Sequence, residues 1–122
     1  MTKKIMVVDD DPYIRKAVEI ALKSEGYDVV TVSGGEECLE KLKKEKVNLV
    51  LTDVFMPGIS GIRLCEIIRK DDKLKSLKVA FMTVATFSKM TEIGLEGLDV
   101  LDYIQKPFDN EDLVKRIKKI VG

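Results

Sequence analysis

The chain has 122 residues, 45% of them apolar and 34% charged, with 21 basic against 21 acidic side chains. That length and apolar content suit one domain with one ordinary core, expected to span residues 1–122. Zero net charge gives no electrostatic footprint for nucleic acid, and no apolar run reaches the roughly 18 residues that a membrane span needs. The lack of any histidine excludes a Ser-His-Asp triad, a histidine base and a phosphohistidine carrier.

Ile5–Val8 reads as a short buried strand. It runs straight into Asp9-Asp10-Asp11, so the N-terminus contains no secretory apolar segment. Asp11 followed by Pro12 signals a helix N-terminus. Ile14, Ala17, Val18, Ala21 and Leu22 then form a helical stripe that Gly26 ends. Val29–Val32 is a second strand, and Gly34-Gly35 opens a helix carrying Leu39 and Leu42. Val47–Thr52 is a β-branched apolar strand ending at Asp53.

Pro57-Gly58 and Gly61 mark a loop, followed by a third helix with Leu64, Ile67 and Ile68 on one face. Val79–Met82 is the fourth strand, Ser88–Leu98 a weaker helix and Asp102–Gln105 a short fifth strand. Asp109 or Asn110 caps a last helix bearing Leu113, Ile117 and Ile120. Cys38 and Cys65 fall in different helices without CxxC spacing, so they read as reduced packing residues of a cytoplasmic protein.

Five apolar strands alternating with five helices predict a doubly wound five-stranded parallel sheet flanked by helices, buried on both faces. Ligands of such sheets bind beyond the carboxyl ends of the strands. Those ends carry Asp9 and Asp10, Asp53, Thr83 and Lys106. Clustered carboxylates need a cation, and an all-oxygen set suits Mg²⁺. A metal, a hydroxyl and an ammonium together would hold the oxygens of a phosphoryl group, with one carboxylate as nucleophile. Taken singly, each residue has an ordinary reading. Asp11 is a cap, Asp53 a turn residue, Thr83 a strand residue and Lys106 a solvated lysine. Their joint occurrence at four strand ends is what those readings leave unexplained.

At this point the whole chain resembles the receiver family of response regulators in two-component signalling, whose topology is flavodoxin-like. The matching segments are Val7-Val8-Asp9-Asp10-Asp11-Pro12, Leu51-Thr52-Asp53-Val54-Phe55-Met56-Pro57-Gly58 with Gly61, Met82-Thr83, and Tyr103-Ile104-Gln105-Lys106-Pro107-Phe108. The resemblance implies that Asp53 accepts a phosphoryl group from a sensor histidine kinase or a phosphotransfer protein. It implies that Asp9, Asp10, Asp53 and the Phe55 backbone carbonyl serve Mg²⁺, Asp9 through water. Thr83 and Tyr103 would be the switch pair, and Lys106 would contact the phosphoryl group. The Lys106-Pro107 bond is expected to be cis. A downstream protein target would dock on the face of the fourth helix, fifth strand and last helix. No catalysis beyond the domain's own phosphorylation and dephosphorylation is implied.

Three features depart from the family pattern. Val84 stands where alanine or glycine is usual and is expected to crowd the approach to Asp53. The stretch Gly97–Asp102 carries extra residues. Phe55 and Ala85, flanking the site, are both apolar. The alternative these departures keep open is a degenerate receiver acting only as a protein-binding module.

A phosphatase of the haloacid dehalogenase type is disfavoured because its second aspartate would fall at Phe55. A flavin carrier is disfavoured because three aspartates replace its phosphate loop. Lys115, Arg116, Lys118 and Lys119 read as a solvated helix face suited to the C-terminal dipole rather than a nucleic-acid patch. Ile62 and Met90 are candidate partner-facing apolar residues.

Overall fold

The computed structural model describes residues 2–85, 88–90 and 98–122. Five strands, β1 (Lys4–Val8), β2 (Asp28–Val32), β3 (Leu49–Asp53), β4 (Lys78–Thr83) and β5 (Val100–Gln105), form one parallel sheet in the order β2-β1-β3-β4-β5. The chain steps from β1 outward to β2, then crosses back to β3 on the other side. The reversal lies between β1 and β3, where sheets of this kind open a crevice.

Helices α1 (Pro12–Lys23), α2 (Gly35–Leu42), α3 (Gly61–Lys70) and the C-terminal α4 (Asn110–Val121) cover both faces. Alternation along the strands builds the two layers. Ile5, Val7, Leu49, Leu51, Ala80, Met82 and Ile104 pack against Val18, Ala21 and Leu22 of α1 and Leu113 and Ile117 of α4. Met6, Val8, Val50, Val79 and Phe81 pack on the other face against Cys38, Leu42, Leu64, Cys65 and Ile68 of α2 and α3. Each fully buried Leu or Ile contributes about 1.5–3 kcal/mol of transfer free energy, so both layers hold the sheet edge firmly in place. Both cysteines are packing residues, and burial pushes the Cys38 thiol up to about 12.

The helix starts follow local chemistry. Asp11 accepts from the amides of Tyr13 (2.9 Å) and Ile14 (3.4 Å), with Pro12 at the first helical position. Ser60 caps α3 through the Arg63 amide at 3.1 Å, and Asp109, rather than Asn110, caps α4 through the Glu111 amide at 3.0 Å.

Several details differ from the sequence expectation. Strand β3 begins at Leu49, because Asn48 is diverted to the Lys4 amide, which its Oδ1 accepts at 2.8 Å. Met90 is fully buried and so offers no apolar contact to a partner, whereas Ile62 is half-buried and packs partly against the core. Residues 88–90 are helical as expected and Leu98 is not; the rest of the predicted fourth helix lies outside the described residues.

Strand β5 is longer than expected and carries a bulge. Val79 and Phe81, two apart on β4, pair with Val100 and Tyr103, three apart on β5. The inserted residue lets Val100 and Tyr103 pack on the same face of the sheet, which a regular strand would forbid. No helix among the described residues is long and apolar enough to cross a membrane.

Candidate functional site

Strand register brings the predicted residues to one edge. Val8 pairs with Thr52, so Asp9 and Asp53 emerge level from β1 and β3. Asp53 pairs with Met82 and Thr83 with Gln105, so Thr83 and Lys106 follow at the same end. The backbone ties this edge together, the Lys106 amide donating to the Thr83 carbonyl at 2.7 Å. The Lys106-Pro107 peptide is cis, as the family pattern implies.

Carboxylate oxygens of Asp9, Asp10 and Asp53 lie within 4.8 Å of one another. Asp9 and Asp53 are buried and Asp10 is exposed. Lys106 Nζ stands 2.6 Å from Asp9 Oδ2 and 3.3 Å from Asp53 Oδ2. Asp9 Oδ1 accepts from the Asp11 amide at 2.9 Å, and the Asp9 carbonyl accepts from Arg15 Nη1 at 2.7 Å.

Burial raises the Asp53 carboxyl above its usual value; the Asp9 charge adds to the rise and Lys106 opposes it. Burial alone would lower the Lys106 ammonium. Its hydrogen bond to Asp9 and the charges of Asp53 and Asp9 outweigh that and hold it above its usual value. One ammonium thus faces three close carboxylates, two of them buried. A hard divalent cation fits such an all-oxygen donor set.

Thr83 is buried, and its Oγ1 accepts from the Ala85 amide at 3.0 Å. That bond uses a lone pair and leaves the hydroxyl proton available for donation. Tyr103 is half-buried, its ring edge-on to Phe81 with centroids 5.9 Å apart. Phe55 is 51% exposed, Val84 68% exposed and Ala85 half-buried, making an apolar rim. Val84 projects mainly into solvent, so its bulk lies at the rim.

Three contacts escaped sequence reasoning, although Thr52 and Gly61 stand in the segments quoted above. Thr52 Oγ1 donates to the Asp53 carbonyl at 2.9 Å. A Cβ at Gly61 would stand 2.1 Å from that same carbonyl, so only glycine lets α3 start against the acidic strand end. Arg15 leaves no sequence signal, since one arginine on an amphipathic helix is ordinary. Of the basic stretch in α4, Arg116 is committed to Asp102 at 2.8 Å and to Asp112 at 3.0 Å, and Lys118 to Glu25 at 3.0 Å.

The sequence model of the response regulator receiver domain matches residues 5–118. The chain is 38% identical over 122 residues to the alkaline phosphatase synthesis transcriptional regulatory protein PhoP of Bacillus subtilis, covering 99% of the chain and 49% of PhoP. It is 34% identical over 119 residues to the DNA-binding response regulator MtrA of Mycolicibacterium smegmatis, covering 97% and 50%. The chain therefore spans about half the length of these curated relatives.

Among solved structures, the chemotaxis response regulator CheY4 of Vibrio cholerae superposes with a TM-score of 0.90 at 28% identity, covering 98% of this chain and 99% of that one. The response regulator TrrA of Thermotoga maritima, solved in complex with Mg²⁺ and beryllium fluoride, gives 0.86 at 35% identity, covering 98% and 99%.

Proposed function

Because the chain belongs to the response regulator receiver family of two-component systems, we propose that it is a functional receiver whose phosphoacceptor is Asp53. The observation that carries this reading is the meeting of Asp9, Asp53 and Lys106 at one sheet edge, with Lys106 Nζ 2.6 and 3.3 Å from the two carboxylates. A degenerate binding module would have no need to keep that set intact.

An Asp53 carboxylate oxygen forms the new O–P bond as the donor's P–N or P–O bond breaks, and the leaving group departs with the bonding electrons. The donor in this reading is a phosphohistidine on a sensor kinase or phosphotransfer protein, as in the family; the chain has no histidine of its own to carry one. Lys106 pairs with one phosphoryl oxygen and the Thr83 hydroxyl donates to another. Asp9, Asp10, Asp53 and the Phe55 carbonyl would hold Mg²⁺, with Asp9 acting through water. Bound there, the ion supplies charge neutralisation and a site for a third oxygen.

Hydrolysis returns the Asp53 carboxylate and inorganic phosphate, so the only catalysis is of the domain's own modification. Thr83 moving to the phosphoryl group, with Tyr103 following, would shift the population of the face built from the fourth predicted helix, β5 and α4, where a protein target docks. The setting is cytoplasmic, and the domain itself contacts neither membrane nor nucleic acid.

Incubation with a small phosphodonor and Mg²⁺ is expected to add one phosphoryl mass, read by intact mass spectrometry. Asp53→Asn or excess chelator is expected to abolish it. Equal labelling of the mutant would overturn the assignment.

A further inference from the structure

Asp10 is the exposed member of the carboxylate cluster and makes no ion pair among the described residues. Its direction therefore depends on the backbone that carries it. That backbone is held at Asp9 on both sides: the amide donates to the Val32 carbonyl at 3.3 Å, and the carbonyl accepts from Arg15 Nη1 at 2.7 Å. Arg15 itself is half-buried on α1, its amide donating to the Asp11 carbonyl at 3.0 Å. Its charge also reaches Glu37, whose carboxyl is lowered first by the Ser33 amide, with Lys41 and lastly Arg15 adding to the fall.

A guanidinium beside a cation site should weaken cation binding by Coulomb repulsion. It can favour binding only by fixing the carboxylates in register. We propose that Arg15 is a positioning residue for the divalent-cation site: by clamping the Asp9 carbonyl to α1, it aims the Asp9 and Asp10 carboxylates at Asp53. This rests on the reading of those three aspartates as the Mg²⁺ site. Outer-shell contacts to metal ligands typically change affinity by about ten- to a hundredfold.

The two roles of the arginine predict opposite signs, so affinity decides between them. Mg²⁺ is titrated into wild type, Arg15→Met and Arg15→Lys, followed by the amide shifts of residues 9–11 and 53, with metal-free melting temperatures measured alongside. Arg15→Met keeps the apolar stem and is expected to bind about tenfold more weakly at an unchanged melting temperature. Arg15→Lys, which can still donate to the carbonyl, is expected to recover most of the affinity. Binding by Arg15→Met equal to or tighter than wild type overturns the proposal. A weakening that merely tracks a lower melting temperature also overturns it. A wild type that binds no Mg²⁺ overturns the metal site itself and the inference with it.

Discussion

Lys106 and Asp9 stand 97 positions apart in the chain, yet their side chains meet in a 2.6 Å hydrogen bond at a carboxylate with no exposed surface. This contact closes the sheet edge from β1 to β5. It also makes Lys106 the counter-ion of Asp9 and Asp53, in competition with the cation proposed for that site.

Replacing Lys106 with methionine is therefore expected to act in two directions. Asp9 loses its partner inside a buried cluster, which should cost about 3 kcal/mol of metal-free stability in urea unfolding. Mg²⁺ affinity should rise, because a competing positive charge is gone, while phosphorylation slows. Unchanged stability would mean that the pair is not a structural tie.

The proposed switch pair, Thr83 and Tyr103, should respond to a phosphoryl mimic. Thr83 leads directly into the Ala85 turn, and Tyr103 lies edge-on to Phe81, so movement at Thr83 has a packed route to β5. Amide shifts on adding beryllium fluoride with Mg²⁺ are expected on β5 and α4 as well as at the acidic edge. Changes confined to residues 9–11, 53 and 106 would describe a passive acceptor.

Gly61→Ala should be costly out of proportion to one methyl group. Its Cβ would meet the Asp53 carbonyl at 2.1 Å, and a backbone atom cannot swing aside. Overpacking of this kind costs about 1–3 kcal/mol, and the upper end is expected here. Thermal melting reads the stability loss. A fall in phosphorylation rate beyond that loss would report displacement of Asp53.

The apolar rim should lengthen the life of the aspartyl phosphate. Phe55 and Ala85 offer no group to align a hydrolytic water, whereas asparagine at position 55 would. Phe55→Asn is expected to speed decay roughly tenfold, equivalent to about 1.4 kcal/mol of barrier. Val84→Ala should have a smaller effect, since Val84 is 68% exposed and lies over the rim. Decay rates after donor removal, unchanged in both mutants, would show that the rim does not control lifetime.

What the chain states by itself is what depends on near neighbours. Strand runs such as Ile5–Val8, the Asp11-Pro12 cap and the turn at Gly58 are local signals, and they locate the strand ends where Asp9, Asp53, Thr83 and Lys106 stand. The burial of Met90 and the bulge that turns Val100 and Tyr103 to one face are set by packing across elements, which no periodicity records. The same holds for the Arg15 clamp on Asp9 and the need for glycine at position 61. These are close approaches between residues on different elements. Their geometry exists only once the two helical layers have closed on the sheet, because steric exclusion and hydrogen bonding act over a few ångströms of space rather than along the chain.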